Sequence, residues 1–444
     1  MLRGLFIMIC TVMLIILPET VSAVNLSVTA KTESLSLDQC LAFAFTNSQQ
    51  IKAAVKSIEI AQAAVKEVEG GFWPKLGYSI FASKSNENIY PYPWFVFPYA
   101  STDYSGAVIS LTQPLYLGGQ LTGGLHLAKA QLYMALENER QTKQQLVFQL
   151  KQAFYQVWLA EQSLKVAQSS FDNLEHHVTQ VEGLYQEGTI SKFELLRAKV
   201  QRDSLKPQVI VAQNGLRLAK LSMAVLMGFP KERPYCVEYD SSKLLIPEQS
   251  NILVDQILDL ASQNRPEMRQ IRQVKEMRQY QIQLAKAGYK PNVALVGQYQ
   301  GASQDYVLKH WAEGENKLWT LTLSIGGNFF DGFATSAKVS EAKKAMELTG
   351  IQESGLRDQI RLEVEQAVQN IQESLEVIHA NQSNIDIAKY SLELTQARFE
   401  ENMATTMDIM DSQLVLDQAL NGYYRGIAFY LMAEAKFDLT TGKD

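Results

Sequence analysis

The chain is poor in residues that build catalytic or metal chemistry: its 444 positions hold three cysteines and five histidines. Three cysteines cannot supply the dense framework of a disulfide scaffold. Cys10 falls in the N-terminal apolar segment, where Ile7, Met8 and Ile9 stand in place of the small residues that precede a lipidated cysteine. Cys40 lies on an apolar helix face and Cys236 in a segment read as irregular. A disulfide between them and two separate thiols both fit an oxidising compartment. The histidines are scattered, and adjacent His176 and His177 point to different sides of a helix, so no paired-imidazole metal motif forms. No Gly-x-Ser-x-Gly elbow occurs, and the glycine pairs 118–119 and 123–124 lack the following Lys-Ser/Thr that would hold a phosphate. The sequence therefore predicts no enzyme, no metal and no cofactor. Basic residues are in deficit too, 41 against 47 acidic for a net charge of −6, which leaves no footprint for nucleic acid.

Long hydrophobic runs are missing after residue 23: no later stretch approaches the roughly 18 consecutive apolar residues of a spanning helix. The start of the chain differs. Arg3, an apolar core from Leu5 to Leu17, and Val21-Ser22-Ala23 follow the order of a secretory signal. Residues 1–23 are therefore read as a signal peptide and Val24 as the first mature residue. The mature chain is then either soluble after export or inserted by a route other than helices.

What the sequence does contain is a doubling. LDQCLAFAFTN (37–47) matches VDQILDLASQN (254–264) at an offset of 217, and FWP (72–74) falls on YKP (289–291) at the same offset. Beyond that point the offset settles at 214, bringing QAFYQV (152–157) onto QAVQNI (366–371) and Gly228 onto Gly442. A chance repeat would drift; this one holds register for over a hundred residues. The predicted division is a first repeat over 24–228, a Pro- and charge-rich linker over 229–250, and a second repeat over 251–444.

Each repeat predicts a helical arm (37–72, 254–289) and an extended region, then a long helix (118–186, 332–400), a short break and a second arm (192–227, 406–441). A helix of about 69 residues would span roughly 100 Å, too long for a compact globule. Two arms add up to one long helix, so the economical arrangement stacks the arms end to end alongside it. The breaks then become hairpin tips near residues 188 and 402. Leu164, Ala167, Phe171, Leu174, Val178, Val181 and Tyr185 alternate spacings of three and four, and Ile378, Ile385, Ala388, Leu392 and Phe399 keep the phase. That 3.5-residue period predicts left-handed coiled-coil packing. Pro207 falls inside the second arm, where it removes a backbone bond and bends the rod.

In the extended regions the period changes to two. Leu76, Tyr78, Ile80 and Ala82 alternate, as do Ala107, Ile109 and Leu111, then Val293, Leu295, Gly297 and Tyr299, and finally Trp319, Leu321, Leu323 and Ile325. The strand pairs (75–115 and 292–328) have runs long enough to cross a membrane when tilted. Four strands cannot close a barrel, and an open sheet edge in lipid leaves amides unpaired at several kcal/mol each. Either several chains share one barrel or the hairpins merely cap a soluble rod. Aromatic residues at the strand ends (Phe72, Trp73 and Tyr116; Tyr90, Trp94, Phe95 and Tyr99) favour the shared barrel. The loop YPYPWFVFPY (90–99) would then form an external lid or rim.

These features together resemble the TolC-like outer-membrane efflux proteins over essentially the whole mature chain. The carriers are the doubled DQxLxxAxxN arm with its terminal proline, QPLYLGG (113–119), the Tyr-Gln-Glu-Gly turn (185–188) and LMGFP (226–230). The resemblance implies an α+β fold: a long antiparallel α-helical coiled-coil barrel, plus four β-strands per chain contributing to a trimeric 12-stranded transmembrane β-barrel. It implies a homotrimer in outer-membrane lipid with its helical body in the periplasm. Such a protein is the passive exit duct of a tripartite efflux or type I secretion system, docked to a periplasmic adaptor (membrane fusion protein) and an inner-membrane pump. The linker 229–250 and the chain ends would form an equatorial belt.

The resemblance also assigns residues. Asp408 and Asp411 fall where the family places acidic constriction residues, with Glu194 as the repeat partner of Asp408; a first-turn acidic pair complementing the helix dipole is the plainer reading. The breaks Gly188-Thr189-Ile190-Ser191 and Asn402-Met403-Ala404-Thr405 become adaptor-docking tips. Relatives tie the closed mouth with a Tyr near Phe399 and an Arg near Ala404, and neither residue type stands there in this chain. A periplasmic coiled-coil scaffold or adaptor without a membrane barrel is the alternative, but this chain lacks the lipoyl-like or barrel signature that adaptors carry. A coiled-coil surface adhesin would not need the two-fold doubling.

Overall fold

A computed structural model describes residues 33–84, 104–229, 235–239, 254–303, 317–401 and 403–443. The expected signal peptide, Val24, the loop 90–99, Asn402 and most of the linker 229–250 lie outside the described residues.

The chain begins with β1 (Glu33–Leu35), α1 (Leu37–Asn47) and α2 (Gln49–Gly70). Ser36 closes a capping box with Gln39, fixing the start of α1. Strands β2 (Lys75–Ser83) and β3 (Tyr104–Leu117) follow, then α3 (Gln120–Gln186) and α4 (Lys192–Met227). After β4 (Tyr235–Val237) the order repeats with α5 (Val254–Asn264), α6 (Pro266–Lys286), β5 (Asn292–Ser303), β6 (Lys317–Gly326), α7 (Ala334–Glu400) and α8 (Thr406–Thr441). Helices α3 and α7 have 67 residues each, and α4 and α8 have 36 each.

The first arm of each repeat is not continuous. It breaks at Ser48 (ψ 129°) and at Arg265 (ψ 131°), each leaving the helical region for one residue. Pro266 explains the second break, because its ring pushes the preceding residue into the extended region. Arg265 is buried there and its guanidinium pairs with Glu363 at 2.7 Å and Glu267 at 3.3 Å. The second arm ends against the break in the first: a Cβ on Gly228, just past α4, would lie 2.9 Å from the carbonyl oxygen of Asn47 at the end of α1. Helix α4 runs unbroken through Pro207.

Helix α3 packs along α4 and also along α8, which in turn packs along α7. Coiled-coil positions Leu174, Val178, Val181, Ile378, Ile385, Ala388 and Leu392 are buried, whereas Tyr185 at the end of the stripe is exposed. A cluster around Cys40, Leu146, Leu150, Phe154, Val157, Met223 and Met227 joins α1, α3 and α4. Strand β4 pairs in parallel with β1, setting Cys236 opposite Ser34, so the segment read as irregular contains a short strand. Both cysteines are free thiols, Cys40 buried and Cys236 exposed. By length and composition α4 could cross a membrane, yet its surface carries the ion pairs Lys199–Glu182 and Lys220–Glu161, which mark a helix packed in water.

The four long strands form one antiparallel sheet in the order β2-β3-β5-β6. The central pairing, β3 with β5, joins the two halves of the chain, and β2 and β6 are left as edges. The register sorts the faces. Tyr78, Ile109, Tyr299 and Trp319 form one cross-strand row, and Leu76, Leu111, Gly297 and Leu321 the next. The opposite face carries Gly77, Ser110, Gln298 and Thr320. Trp319 is 73% exposed and Tyr78 is 83% exposed, so the apolar face covers no core within the chain.

Candidate functional site at the hairpin tips

Each tip is built by the same local rules. Helix α3 ends at Gln186, Gly188 takes φ +76°, and the Thr189 amide donates back to the Leu184 carbonyl at 2.9 Å. At the second tip the Met403 amide donates to the Arg398 carbonyl at 2.8 Å. Ser191 caps α4 through the Glu194 amide, and Thr405 caps α8 through the Asp408 amide, both at 3.3 Å. The tips lie side by side, since Ile190 and Phe399 share a cluster with Val178, Val181 and Ala198. Thr189, Ser191, Met403 and Thr405 are exposed, while Ile190 and Ala404 are half-buried. Asn402, the remaining residue assigned to docking, lies outside the described residues.

The two aspartates face different surroundings. Asp408 is the third residue of α8, and its carboxylate accepts from the Thr405 amide at 2.7 Å and the Thr405 hydroxyl at 2.8 Å. Those bonds, helped by the charge of Arg398, hold its carboxyl below the usual carboxylate range. Asp411, one turn on, is exposed and lines a groove of about 580 Å³ between α3, α4 and α8 with Gln201, Gln208 and Gln418. Glu194 is half-buried at the start of α4. The plainer role, an acid at a helix N-terminus, is thus filled by Asp408, whereas Asp411 is left exposed in the groove.

Three residues at this end stand out only in the structure. Arg398 donates from Nη2 to the Met403 carbonyl at 3.5 Å, so a guanidinium does reach the second tip, from one turn before the break. Its repeat counterpart is Leu184, and that difference between the copies is the signal that could have found it. Asp417 sits in the α3–α8 seam, accepting from Gln413 Nε2 at 2.8 Å; burial pushes its carboxyl above the usual range despite bonds to Ser170 and Gln413. Gln413 also accepts from Asn173 at 3.2 Å, completing a polar ladder across the seam. His177 is 5% exposed and lies edge-on to Phe399, ring centroids 4.8 Å apart.

An open two-faced sheet above a rod of paired helices with acidic, exposed tips is a combination found in known proteins. The model of the outer membrane efflux protein family matches residues 42–228 and 257–434, most of the chain and both halves of it. The outer membrane efflux protein BepC of Brucella suis is 20% identical over 402 residues, covering 88% of this chain and 83% of its own. The outer membrane protein TolC of Vibrio cholerae is 19% identical over 312 residues, 70% of each chain. The crystal structure of the Vibrio cholerae outer membrane protein VceC superposes with a TM-score of 0.76 at 16% identity, covering 91% of this chain and 96% of that one. The chain therefore belongs to the outer membrane efflux protein family, TolC-like channels set in the outer membrane with a helical body in the periplasm.

Proposed function

We propose that three copies of this chain form one continuous exit duct, conducting substrates passively from an inner-membrane pump and a periplasmic adaptor to the outside. The observation that carries this reading is the four-stranded sheet. Its outer rows are apolar, its other face carries Ser79, Ser110, Thr112, Gln298, Gln300, Thr320 and Thr322 among a few apolar residues, and β2 and β6 end it with edges unpaired among the described residues. In lipid such edges must be paired, and joining β6 of one copy to β2 of the next closes 12 strands around a polar lumen. Exposed apolar side chains on α4 (Val200, Ile210, Leu218) and on α7 (Ile351, Ile387, Tyr390) supply matching faces between copies in the helical body. The short β1–β4 sheet, with the linker and chain ends, belongs to the equatorial belt.

In this assembly the tips close the periplasmic mouth. Asp408 and Asp411 from three chains bring six carboxylates to that mouth, with Glu194 beside them, a ring that favours cations and obstructs anions. Gly188, Thr189, Ile190 and Ser191, with Asn402, Met403, Ala404 and Thr405, present the docking surface to the adaptor. A periplasmic scaffold without a barrel would leave the apolar sheet face uncovered in water. Detergent extraction and sizing test the proposal: the expected result is a detergent-dependent trimer recovered from the outer-membrane fraction. Recovery of the processed protein as a soluble monomer without detergent would overturn it.

A further inference from the structure

The tip holds a buried basic group that the duct reading does not use. His177 is 5% exposed, and its Nε2 finds no hydrogen-bond partner among the described residues. It borders a crevice of about 160 Å³ together with Asn173, His176 and Gln180 of α3, Gln396 and Glu400 of α7, and Gln413 of α8. One face of the imidazole is taken by the edge contact with Phe399 on α7. The ring is therefore wedged between the first hairpin, α3–α4, and the second, α7–α8, beside the end of α7 and nine residues before the end of α3.

We propose that His177 is an acid-sensitive wedge, whose protonation parts the two hairpins at the periplasmic tip; this rests on the reading of that tip as the duct's closing point. The closed seam favours the neutral ring, because a buried imidazolium loses its hydration and the one hydrogen bond with Gln180 offsets that only in part. Burial accordingly pushes the His177 imidazole below its usual range, a hydrogen bond with Gln180 opposing only in part. Opening the seam hydrates the ring and returns it towards the usual value of 6.5. The open form then binds the extra proton, so the closed seam is at full strength above that value and weakens as pH falls below it. Each protomer's opening equilibrium rises by at most about tenfold per pH unit within that window.

The surroundings determine which contact gives way. Within the first hairpin, α3 and α4 are tied by Glu182–Lys199 at 2.5 Å and Glu175–Arg202 at 3.1 Å. Across the seam from α3 the contacts near His177 are neutral: the Phe399 ring and the Asn173–Gln413 bond. The nearest ion pair from α3 to α8 among the described residues, Lys151–Asp438, lies far along the rod. The titratable groups facing the crevice are His176 on α3 and Glu400 on α7; α8 contributes Ile409 and Gln413 there. Higher in the seam, Asp417 works with the opposite sign: its raised carboxyl takes up a proton as pH falls and strengthens the closed form. Acid therefore loosens the end of the seam while its upper part holds.

Hydrogen–deuterium exchange on the full-length chain in lipid nanodiscs tests this, with rates corrected for intrinsic pH dependence. On going from pH about 7.5 to about 5, peptides spanning 172–182 and 394–412 should exchange at least several-fold faster. Peptides from the sheet should not change. His177→Gln and His177→Phe should both abolish the rise, and Asp417→Asn should leave it larger. A rise that persists in both His177 variants, or no rise in the parent protein, overturns the proposal. Conductance across planar bilayers separates the two readings. A parent protein that never conducts counts against the duct, whereas one that conducts with a pH-independent seam counts against the wedge alone.

Discussion

The carboxylate of Asp408 accepts two hydrogen bonds from Thr405, one from its amide at 2.7 Å and one from its hydroxyl at 2.8 Å. The Thr405 hydroxyl in turn accepts from the Asp408 amide. This closed capping box gives the residue a structural task beside any electrostatic one, and Asp411 has no such box. The two substitutions should therefore separate. Asp408→Ala should fray the start of α8, seen as several-fold faster hydrogen exchange over 403–412, whereas Asp411→Ala should leave exchange unchanged. Both should weaken block by divalent cations in planar bilayers, and the double variant should raise single-channel conductance. Unchanged block in the double variant would remove the carboxylates from the mouth of the duct.

A second prediction concerns Arg265, the buried break in the second arm. Burial opposes ionisation of Glu363, yet the hydrogen bond and charge of Arg265 outweigh it and hold the carboxyl below its usual range. Removing the arginine leaves Glu267 and Glu363 without their partner, on the order of 3 kcal/mol as for other broken buried pairs. Arg265→Ala should lower the thermal transition of the assembled protein by several degrees. The Glu363 contribution is present above the free carboxylate's pKa and fades as pH falls through the depressed one, so the gap between parent and variant should narrow in acid. A gap independent of pH would locate the loss elsewhere.

Glycines at the two ends of α4 should respond unequally. Gly188 at φ +76° has nothing within 4 Å of a built Cβ, so Gly188→Ala should cost only the left-handed backbone term, roughly 1–2 kcal/mol. Gly228 at φ +65° would also press its Cβ against the Asn47 carbonyl oxygen at 2.9 Å. Gly228→Ala should therefore destabilise more, measured as the larger fall in denaturation midpoint.

The sequence made the long elements legible because their periods are long and their ends are marked. Gly228 and Gly442 end their helices in the left-handed conformation, and the three-four spacing from Leu174 to Val181 predicts the buried face. Strand alternation from Trp319 to Ile325 predicts a face that the register of β6 against β5 then sorts. Short or context-dependent features were not legible. Strands β1 and β4 have three residues each, too few for any period to show. Ser48 breaks an arm with no proline after it, a conformation set by packing rather than by local preference. At the tips, the spacing of Asp408 and Asp411 was visible, but the capping bond that distinguishes them depends on where α8 begins.

The final prediction addresses the sheet. Leu321 and Thr320 are neighbours on β6 and point to opposite faces, Leu321 in the row with Leu76 and Leu111, Thr320 in the row with Ser110 and Gln298. If the apolar face meets lipid, Leu321→Arg places a charge in the hydrocarbon at roughly 2–4 kcal/mol per chain. Three such charges in one barrel should sharply reduce the yield of folded trimer in the outer-membrane fraction. Thr320→Arg puts the same side chain into the water-filled lumen, where it should be tolerated and shift ion selectivity towards anions. Heat-modifiable mobility on gels reports the first outcome and reversal potentials in a salt gradient report the second. Equal tolerance of both substitutions would mean that the sheet has no lipid-facing side, and with it the shared barrel would fall.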